Sequence, residues 1–552
     1  MTVAFASGRV KKPIRGTLHI VHLHVKSESC PLAHKKAPPK LLIKSMLAAS
    51  KICAVVAASH ARDMRAQLRR ALSSTNLVEL RLDWLADDAE IARFLGWLAA
   101  QQPRLAKATL IATCRRVEGG GKYRGSVAKQ LFQLSEAIRA GCRWYDLEIE
   151  TASLCPPELL DVLLRQGRQL RSAHFFKAMP GDLRRIEAGL RSGRPSAIKI
   201  AAHCDTLAQG LKLLQFARSR KNIVAIPMGD VAMPLRLLST REGSSFTYAP
   251  VEHSTAPGQV SLDEAKNLYR VDKIDRRTRV YGVIGDPIGH SLSPAMQNAG
   301  FQARNVNAVY FPFRVLDLAD FLRAIGALGI RGFSVTIPHK EAILRHLDGC
   351  DPLAAKIGAV NTVVVRGSGK LYGYNTDYVG VLRTLQTRIA LRSSRVLIVG
   401  AGGAARAVAF ALAQAGAAVC IWARRGNQAK SLARAVGGQS LSRNALGREF
   451  FDAIVNATPL GMHPNIDQSP LEPEELNCRL VFDTIYRPRE TKLLKLAARR
   501  GIQTVSGVEM FVAQGTAQWE IWTGERAPVA AMRRAVIRAL EWSEDRAEKN
   551  KP

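Results

Sequence analysis

The stretch Arg395-Val-Leu-Ile-Val-Gly-Ala-Gly-Gly-Ala-Ala-Arg406 decides the fold of the C-terminal part of the chain. Its apolar run is typical of a buried strand, and the glycines after it lead directly into a predicted helix. Gly400 and Gly402 permit a tight turn and a close approach of the backbone to a pyrophosphate, and Ala405 lets the helix pack on the strand. A second strand predicted at Ala418–Trp422 supplies the βαβ context that this motif requires. The sequence therefore predicts a Rossmann domain that binds a dinucleotide.

Two arginines after the second strand bear on which dinucleotide is bound. An acid at this point would accept hydrogen bonds from a ribose 2′-hydroxyl, but the sequence has Ala423-Arg424-Arg425. Two guanidinium groups suit a 2′-phosphate, so NADP is favoured over NAD, with two solvated surface arginines as the alternative. The residues expected to face the pyrophosphate share the turn and the start of the helix: Gly400, Ala401, Gly402, Gly403 and Ala404.

A different pattern runs through the first half of the chain, where short apolar runs alternate with stretches of helical periodicity. Near-continuous apolar strands separated by helices predict a parallel sheet, and eight such units predict a (β/α)8 barrel. The eight predicted strands are Ile52–Ala58, Leu77–Leu82, Thr109–Thr113, Trp144–Ile149, Ala173–Phe176, Ala197–Ala201, Ile223–Pro227 and Phe246–Tyr248.

The domain organisation follows from these two patterns. We expect an α/β protein with the barrel at 51–266, a polar linker at 267–279, a small α/β domain at 280–390 and the Rossmann domain at 391–545. Residues 1–50 carry nine Lys or Arg and one acid, so they are expected to be a disordered extension or sequence upstream of a true start at Met46.

Composition excludes several classes of protein. The chain has 552 residues, 80 Lys or Arg and 46 Asp or Glu, for a net charge of +34, yet 47% of its residues are hydrophobic, which excludes a disordered polycation. No apolar run reaches the roughly 18 residues of a membrane helix. The charge fits either a nucleic-acid binder or an enzyme for anionic substrates; 6% aromatic residues and the lack of a recognition motif disfavour nucleic acid. Nine Cys without a CxxC pair predict no metal site and a reducing, cytoplasmic location.

Seven polar motifs follow one another between residues 281 and 514. They are Tyr281–Pro294, Phe333–Lys340, Gly358–Thr362, Gly373–Asp377, Asn456–Met462, Phe482–Pro488 and Gly507–Gln514. In this order they closely resemble those of shikimate dehydrogenase, over about residues 280–545. Members of that family reduce 3-dehydroshikimate to shikimate with NADPH.

The resemblance implies a role for each matching residue. It implies that Lys340 and Asp377 form the catalytic pair. The implied substrate contacts are Ser291, Ser293, Thr336, Asn361, Tyr486 and Gln514, and the implied nicotinamide contacts are Asn456, Thr458, Met462 and Met510. The residue chemistry agrees, because hydride delivery to a ketone creates an alkoxide that a lysine beside an aspartate can stabilise and protonate.

The predicted barrel has ionisable clusters where its strands end, which is where barrel active sites lie. They include Glu79–Asp83, Cys114–Gly120, Asp146–Glu148 and Ser172–His174. Lys199 lies inside the apolar strand Ala197-Ile-Lys-Ile-Ala201. Desolvation lowers the pKa of a lysine and frees its amine to form a Schiff base with a ketone. A lysine that reaches solvent and a structural histidine are the alternatives for Lys199 and His174.

This second constellation resembles type I 3-dehydroquinate dehydratase over about residues 51–265. The resemblance implies that Lys199 forms the Schiff base, that His174 is the general acid and base, and that the Glu118 carboxylate orients His174. The implied substrate contacts are Glu79, Arg81, Arg115, Arg236, Thr255 and Gln259.

Together the two resemblances predict a bifunctional enzyme of the shikimate pathway. It would dehydrate 3-dehydroquinate and then reduce the product with NADPH. The expected partners are these small anionic substrates, with no nucleic acid and no membrane. A dehydrogenase half that prefers quinate or NAD, and a barrel that serves only as a scaffold, remain open at this point.

Overall fold

A computed structural model of the chain describes residues 50–549, with gaps at 156–157, 159, 161–164, 166 and 253–257, and describes residues 544–549 by their backbone only. The predicted N-terminal extension therefore lies outside the described residues, apart from Ser50. Within the described part, every helix is too short or too polar to cross a membrane.

The first half of the molecule is a parallel eight-stranded sheet. The strands are β1 (Ile52–Val56), β2 (Leu77–Arg81), β3 (Thr109–Thr113), β4 (Trp144–Glu148), β5 (Arg168–Phe175), β6 (Ala197–His203), β7 (Ile223–Met228) and β8 (Thr247–Pro250). Each strand pairs with the next from β1 to β7, and β8 pairs with β1. The N–H of Ser245, just before β8, donates to the Ile223 carbonyl of β7 over 2.9 Å, which brings the two ends of the sheet together. The predicted (β/α)8 barrel is confirmed.

Amphipathic helices surround this barrel. They are α1 (Ala61–Ser74), α2 (Asp88–Ala100), α3 (Val127–Arg139), α4 (Ile149–Leu154), α5 (Leu183–Arg191), α6 (Leu207–Arg218) and α7 (Met233–Leu238). Seven predicted strands differ from the observed ones by at most two residues at either end. The fifth begins at Arg168, five residues before the predicted start. The basic residues Arg168 and Arg171 interrupt the apolar pattern that predicts a strand, so the first five residues of β5 were not predicted. Their backbone is nevertheless extended and paired with β4.

The second half contains two further sheets. The first has the order β10-β9-β11-β13-β14-β12, and β13 runs antiparallel to β11 and β14. Its strands are β9 (Arg279–Gly285), β10 (Ala308–Arg314), β11 (Ile330–Val335), β12 (Gly349–Cys350), β13 (Thr362–Val365) and β14 (Leu371–Tyr374). Its helices are α8 (Ser293–Ala303), α9 (Leu318–Leu328), α10 (Pro352–Ile357) and α11 (Asp377–Leu385).

The last sheet is all parallel in the order β17-β16-β15-β18-β19-β20. This is the doubly wound order of a Rossmann domain, so that prediction is also confirmed. Its strands are β15 (Arg395–Val399), β16 (Ala418–Trp422), β17 (Gln439–Ser440), β18 (Phe451–Asn456), β19 (Cys478–Asp483) and β20 (Gln503–Val505). Its helices are α12 (Gly403–Gln414), α13 (Gly426–Ala435), α14 (Lys492–Arg499), α15 (Gly507–Thr523) and α16 (Val529–Lys549).

The polar segment at 267–279, predicted to be a linker, packs closely on its neighbours. Tyr269, Val271 and Ile274 are buried, and the Tyr269 ring stacks on Phe311 of β10 with ring centroids 5.2 Å apart. The charged residues of this segment predicted a linker, because its three apolar side chains lie at irregular spacing that fits no helix or strand. The barrel therefore joins the next sheet through a packed segment.

Candidate active sites

The barrel interior is arranged in layers by the two-residue period of its strands. Near the start of the strands, apolar residues such as Leu77, Ile111, Trp144 and Leu170 form one buried cluster. Two residues further along these strands come Glu79, Thr113, Asp146 and Ser172, and Lys199 takes the same place after Ala197. The next step reaches Arg81, Arg115, Glu148 and His174. Polarity thus increases toward the carboxyl ends of the strands, where the predicted catalytic groups meet.

Lys199 lies in the middle of this polar layer and is 4% exposed. Its Nζ atom lies 2.5 Å from Oδ2 of Asp146, 3.3 Å from the Tyr248 hydroxyl and 3.9 Å from Oε1 of Glu79. Burial alone would raise the pKa of Asp146, but the nearby charges of Arg115 and Lys199 hold that pKa well below its usual value. Asp146 is therefore a fixed negative charge beside the lysine.

His174, at the carboxyl end of β5, contacts Arg115, which follows β3. Nη1 of Arg115 lies 3.0 Å from Nδ1 of His174 and also approaches Nε2. Burial lowers the pKa of His174 well below its ordinary value, and the charge of Arg115 lowers it further. A guanidinium can only donate, so the ring nitrogen that meets it must accept, as in a neutral imidazole. His174 is consequently poised as a base.

Glu118 lies away from this histidine, and the prediction that it orients His174 is wrong. The Glu118 side chain is 70% exposed and pairs with Arg116 over 3.2 Å. The short turn Val117–Gly119 aims it outward. The carboxylate behind the site is Glu148, whose Oε1 lies 3.8 Å from Nε of Arg115 and whose pKa burial raises. Asp146 lies 2.9 Å from Nη2 of the same arginine.

The other predicted barrel contacts differ in how far they approach this cluster. Glu79 accepts a hydrogen bond from Thr113 over 2.8 Å, and Arg81 pairs with Asp83 over 2.8 Å. Arg236, on α7, is 2% exposed, and burial lowers its pKa to about 10. Gln259 is half-buried beside Gly258, which packs on the backbone of Gly229 after β7. Thr255 lies outside the described residues.

A second lysine–aspartate pair lies in the sheet that follows the barrel. Nζ of Lys340 lies 2.7 Å from Oδ2 of Asp377, at the start of α11. Nδ2 of Asn361 donates to the other carboxylate oxygen over 2.7 Å, and Oδ1 of Asn361 accepts from the Thr376 N–H over 2.7 Å. The Lys340 side chain is about one-third exposed. The lysine is therefore held in place by a fixed carboxylate while remaining open to a ligand.

The predicted serine and threonine contacts lie at one edge of that sheet. The N–H of Ser293 donates to Oγ of Ser291 over 3.3 Å, at the beginning of α8. Thr336 follows β11 and packs on Gly285 at the end of β9, where a Cβ atom would lie 2.6 Å from Cγ2 of Thr336. These residues line the carboxyl ends of β9 and β11, where ligands of open α/β sheets bind.

Helix α15 brings the last two predicted substrate contacts to the same region. Gln514 is buried, its Oε1 accepts from the Thr376 hydroxyl over 3.5 Å, and its Nε2 donates to the Phe511 carbonyl over 2.9 Å. The Phe511 ring stacks on Tyr486, with ring centroids 4.6 Å apart. Gly380 permits this approach, because a Cβ there would meet the Met510 carbonyl at 2.9 Å.

The glycine turn after β15 is open where a pyrophosphate would bind. Gly400 has a φ of +119°, and a Cβ there would lie 3.0 Å from the Ala457 carbonyl oxygen, so glycine is required. Gly402, Gly403 and Ala404 are exposed. A Cβ at Gly402 or Gly403 would meet nothing within 4 Å, which leaves room for a ligand.

The remaining predicted cofactor contacts surround this turn. Arg424 and Arg425 are exposed between β16 and α13. Asn456 accepts from the Thr458 N–H over 2.9 Å at the end of β18, so its side chain shapes the next loop. Met462 is 45% exposed, whereas Met510 is buried on α15. The donor set fits a nucleotide with a charged ribose phosphate.

The sequence placed Asp146 in a cluster at a strand end without giving it a role and did not single out Tyr248, although both touch Lys199. The period of two residues from Trp144 to Asp146 could have placed the aspartate on the inner face of β4. Tyr248 is an aromatic residue in an apolar strand, and no sequence signal distinguishes it from core. Among the described residues, no three His, Cys, Asp or Glu side chains are grouped so as to hold a metal ion.

Comparison with known proteins matches different parts of the chain to different families. Residues 52–276 match the family described as type I 3-dehydroquinase. Residues 283–363 match the shikimate dehydrogenase substrate binding domain, and residues 507–537 match the shikimate 5′-dehydrogenase C-terminal domain.

Two relatives and one solved structure illustrate the similarity. The bifunctional 3-dehydroquinate dehydratase/shikimate dehydrogenase of Arabidopsis thaliana, described as chloroplastic, is 34% identical over 504 residues, which cover 87% of this chain and 83% of that protein. The shikimate dehydrogenase (NADP(+)) of Methanosarcina acetivorans is 45% identical over 278 residues, 48% of this chain and 99% of that protein. The shikimate 5-dehydrogenase of Thermus thermophilus, crystallised with NADP(H) and shikimate, is 35% identical and covers 48% of this chain and all of its own, with a TM-score of 0.45.

Proposed function

Because the chain belongs to the family of bifunctional 3-dehydroquinate dehydratase/shikimate dehydrogenases, we propose that Lys199 and His174 carry out the dehydration and that Lys340 and Asp377 support the reduction. The observation that carries this assignment is a separate lysine–aspartate pair in each half, at 2.5 Å in the barrel and 2.7 Å in the following sheet. The barrel pair lies in the polar layer just below the carboxyl ends of β4 and β6, and the second pair lies beyond the ends of β11 and β14.

In the dehydration, Lys199 uses its amine to attack the ketone of 3-dehydroquinate. Water leaves and a protonated imine forms, which makes the neighbouring C–H bond acidic. His174, neutral at rest, takes that proton, and the electron pair moves to expel the β-hydroxyl group as His174 returns the proton to it. Hydrolysis of the imine then releases 3-dehydroshikimate and restores the amine. The charge of Asp146 stabilises the positive nitrogen on Lys199 throughout.

Arginines of the barrel suit the anionic substrate. Arg236 is 2% exposed on α7, and burial lowers its pKa to about 10 because water is excluded from the guanidinium. A substrate carboxylate would relieve that cost, so Arg236 is proposed to bind it. Arg115 holds the imidazole of His174 and has the charges of Asp146 and Glu148 beside it.

In the reduction, the glycine turn after β15 and Arg424 would hold NADPH, which would supply the hydride that reduces the carbonyl carbon of 3-dehydroshikimate. Lys340 donates a hydrogen bond to the carbonyl oxygen and transfers a proton as negative charge develops there. Asp377 fixes the direction of the lysine, and Asn361 holds the Asp377 carboxylate in place. Ser291, Ser293 and Gln514 would orient the carboxylate and hydroxyl groups of the substrate.

NADP is the proposed dinucleotide. Arg424 and Arg425 are exposed at the position where a 2′-phosphate would lie in a Rossmann domain, and no acid competes with them there. The M. acetivorans relative is described as NADP(+)-dependent. Small anionic substrates are the proposed partners, and the nine cysteines without a CxxC pair favour a reducing compartment such as the cytoplasm.

Reductive trapping tests the barrel assignment. Sodium borohydride added to the protein with 3-dehydroquinate is expected to fix the substrate on the peptide that contains Lys199, as identified by mass spectrometry. Lys199→Met, which keeps the length of the side chain, should give no adduct. An adduct on another lysine, or none in protein that still dehydrates, would reject the imine mechanism.

A further inference from the structure

A cavity of about 200 Å³ lies between the segment that ends the barrel and helix α8. It is lined by Thr278, just before β9, and by Asn307 and Ala308 at the beginning of β10. Both candidate active sites lie at the carboxyl ends of their strands. This cavity lies at the amino ends of β9 and β10, so it is separate from the site of Lys340.

Two cations line the cavity with their charges unpaired. Arg270 is half-buried and Lys273 is exposed, and neither side chain has a hydrogen bond or an ion pair with any residue in the described part of the chain. Arg304 differs in this respect, because it donates to the Arg526 carbonyl over 3.1 Å. A half-buried guanidinium with no partner carries a desolvation cost that an anion would offset.

The backbone at the cavity is held in a strained conformation at Arg270. Arg270 has a φ of +50°, in the left-handed region that disfavours residues with a Cβ, whereas Asn305, with a φ of +53°, is the left-handed residue that ends α8. Both side chains line the cavity, and the Asn305 amide also lacks a side-chain partner among the described residues. Strain of this kind clusters at ligand-binding sites.

The other lining groups are apolar or already satisfied. Leu268, Val306 and Ala308 are half-buried and form an apolar floor above the buried Tyr269, Ile274 and Phe301. Asn298 donates to the Tyr310 carbonyl over 2.9 Å, and Asn307 accepts from Thr278 over 2.7 Å. The ligand would therefore meet cations and one free amide on one side and an apolar surface on the other.

Nearby carboxylates do not neutralise the two cations. Asp275 accepts hydrogen bonds from Thr278, Asn307 and the Arg277 N–H. Asp272 pairs with Lys266 over 3.3 Å, and Glu264 accepts from Ser261. In the described part of the chain these carboxylates therefore pair with groups other than Arg270 and Lys273.

We propose that this cavity binds a small monocarboxylate with an apolar ring, whose carboxylate meets Arg270 and Lys273 and whose ring covers Leu268 and Val306. The volume is below the ~300 Å³ at which sites for drug-sized ligands begin, so a single ring with one carboxylate suits it. Phosphate would satisfy the cations and would leave the apolar floor uncovered.

Calorimetric titration with benzoate tests the proposal on the full chain. Wild-type protein should bind benzoate with one site, and benzamide, which has the same shape without the charge, should bind at least tenfold more weakly. Arg270→Gly removes the cation and suits the positive φ, so this variant should stay folded while its benzoate affinity falls at least tenfold. Lys273→Gln should weaken binding in the same direction, and Arg276→Gln, an exposed arginine outside the lining, should not.

Three outcomes would overturn the proposal. The first is no benzoate binding by wild-type protein at millimolar concentration. The second is binding unchanged by Arg270→Gly together with Lys273→Gln and abolished by shikimate, which would place benzoate in a substrate site. The third is phosphate binding as tightly as benzoate, which would indicate a simple anion site without a role for the ring. Circular dichroism of each variant separates loss of the site from loss of the fold.

Discussion

Nζ of Lys199 lies 2.5 Å from Oδ2 of Asp146, inside a barrel where the lysine is 4% exposed. A buried ion pair is costly unless its partners are well placed, and removal of one partner leaves a buried charge uncompensated. In this barrel Asp146 also faces Arg115 at 2.9 Å and accepts from the Ser172 hydroxyl over 2.6 Å. One carboxylate thus connects the lysine with the arginine that holds His174.

Asp146→Asn should reduce the kcat of dehydration by at least 100-fold, because the imine nitrogen loses its compensating charge. Initial rates with 3-dehydroquinate measure this. Reduction of 3-dehydroshikimate by the same sample is the internal control for folding, and it should stay within twofold of wild type. A dehydration rate within threefold of wild type would show that Asp146 is structural only.

His174 and Glu118 were predicted to act together, but substitutions at these two residues should have very different effects on the rate of dehydration. His174→Gln should lower dehydration about 10²- to 10⁴-fold, the usual contribution of a general acid and base. Glu118→Gln should change it by less than threefold, since that side chain is 70% exposed and pairs with Arg116. If Glu118→Gln were as damaging as His174→Gln, the loop would have to close over the site during turnover.

The acid side of the pH profile for dehydration should reflect the neutral state of His174. Burial and Arg115 lower its pKa well below 6.5, so the base stays unprotonated as the pH falls through 6.5. We expect kcat/KM to remain level from pH 8 to pH 6 and to decline only at lower pH. In Arg115→Gln the inflection should move upward, because a positive neighbour is removed. A wild-type inflection at 6.5 or above would contradict the assignment.

Arg424→Gln and Arg425→Gln should weaken the preference for NADPH. Loss of one charge-assisted contact to a 2′-phosphate is expected to raise the KM for NADPH about tenfold and to leave that for NADH nearly unchanged. The ratio of kcat/KM for the two cofactors reports this directly. Dehydration needs no dinucleotide and serves as the control. Equal effects on both cofactors would mean that the arginines do not read the 2′-phosphate.

Asp320, on helix α9, caps the barrel helix α6, and this contact should stabilise the junction between the barrel and the sheet that follows it. Asp320 is buried and accepts from the N–H groups of Leu207 and Ala208 over 2.8 and 3.4 Å. Asp320→Ala should cost about 0.5–2 kcal/mol of stability, as loss of a helix cap does, and Asp320→Asn should cost less. Thermal unfolding measures the difference. The rates of dehydration and reduction should stay near wild type at 25 °C. An unchanged Tm for the alanine variant would show that Asp320 does not stabilise the junction.

A site residue could be predicted from sequence when a pattern within one strand or one turn places it. A contact between side chains on different strands could not be predicted in this way. Lys199 was predictable because one charged residue in an apolar strand points into the barrel. The glycine turn after β15 was predictable because the motif is local. Asp146 was one of several acids at strand ends, and its distance from Lys199 depends on the stagger of β4 against β6.

The error at Glu118 has a similar cause. The resemblance implied that Glu118 orients His174, but the direction of the side chain is set by the turn at Val117–Gly119. Glu148 follows the inner residues Trp144 and Asp146 at the same two-residue period of β4, and it occupies the space behind Arg115. Only the assembled barrel distinguishes these two glutamates.

The most direct test of two independent sites supplies purified protein with 3-dehydroquinate and NADPH and follows the products by chromatography. Wild-type protein should produce shikimate. Lys199→Met should produce none but should still reduce added 3-dehydroshikimate, whereas Lys340→Met should accumulate 3-dehydroshikimate. Shikimate formed from 3-dehydroquinate by Lys199→Met, or failure of Lys340→Met to dehydrate in folded protein, would contradict the account.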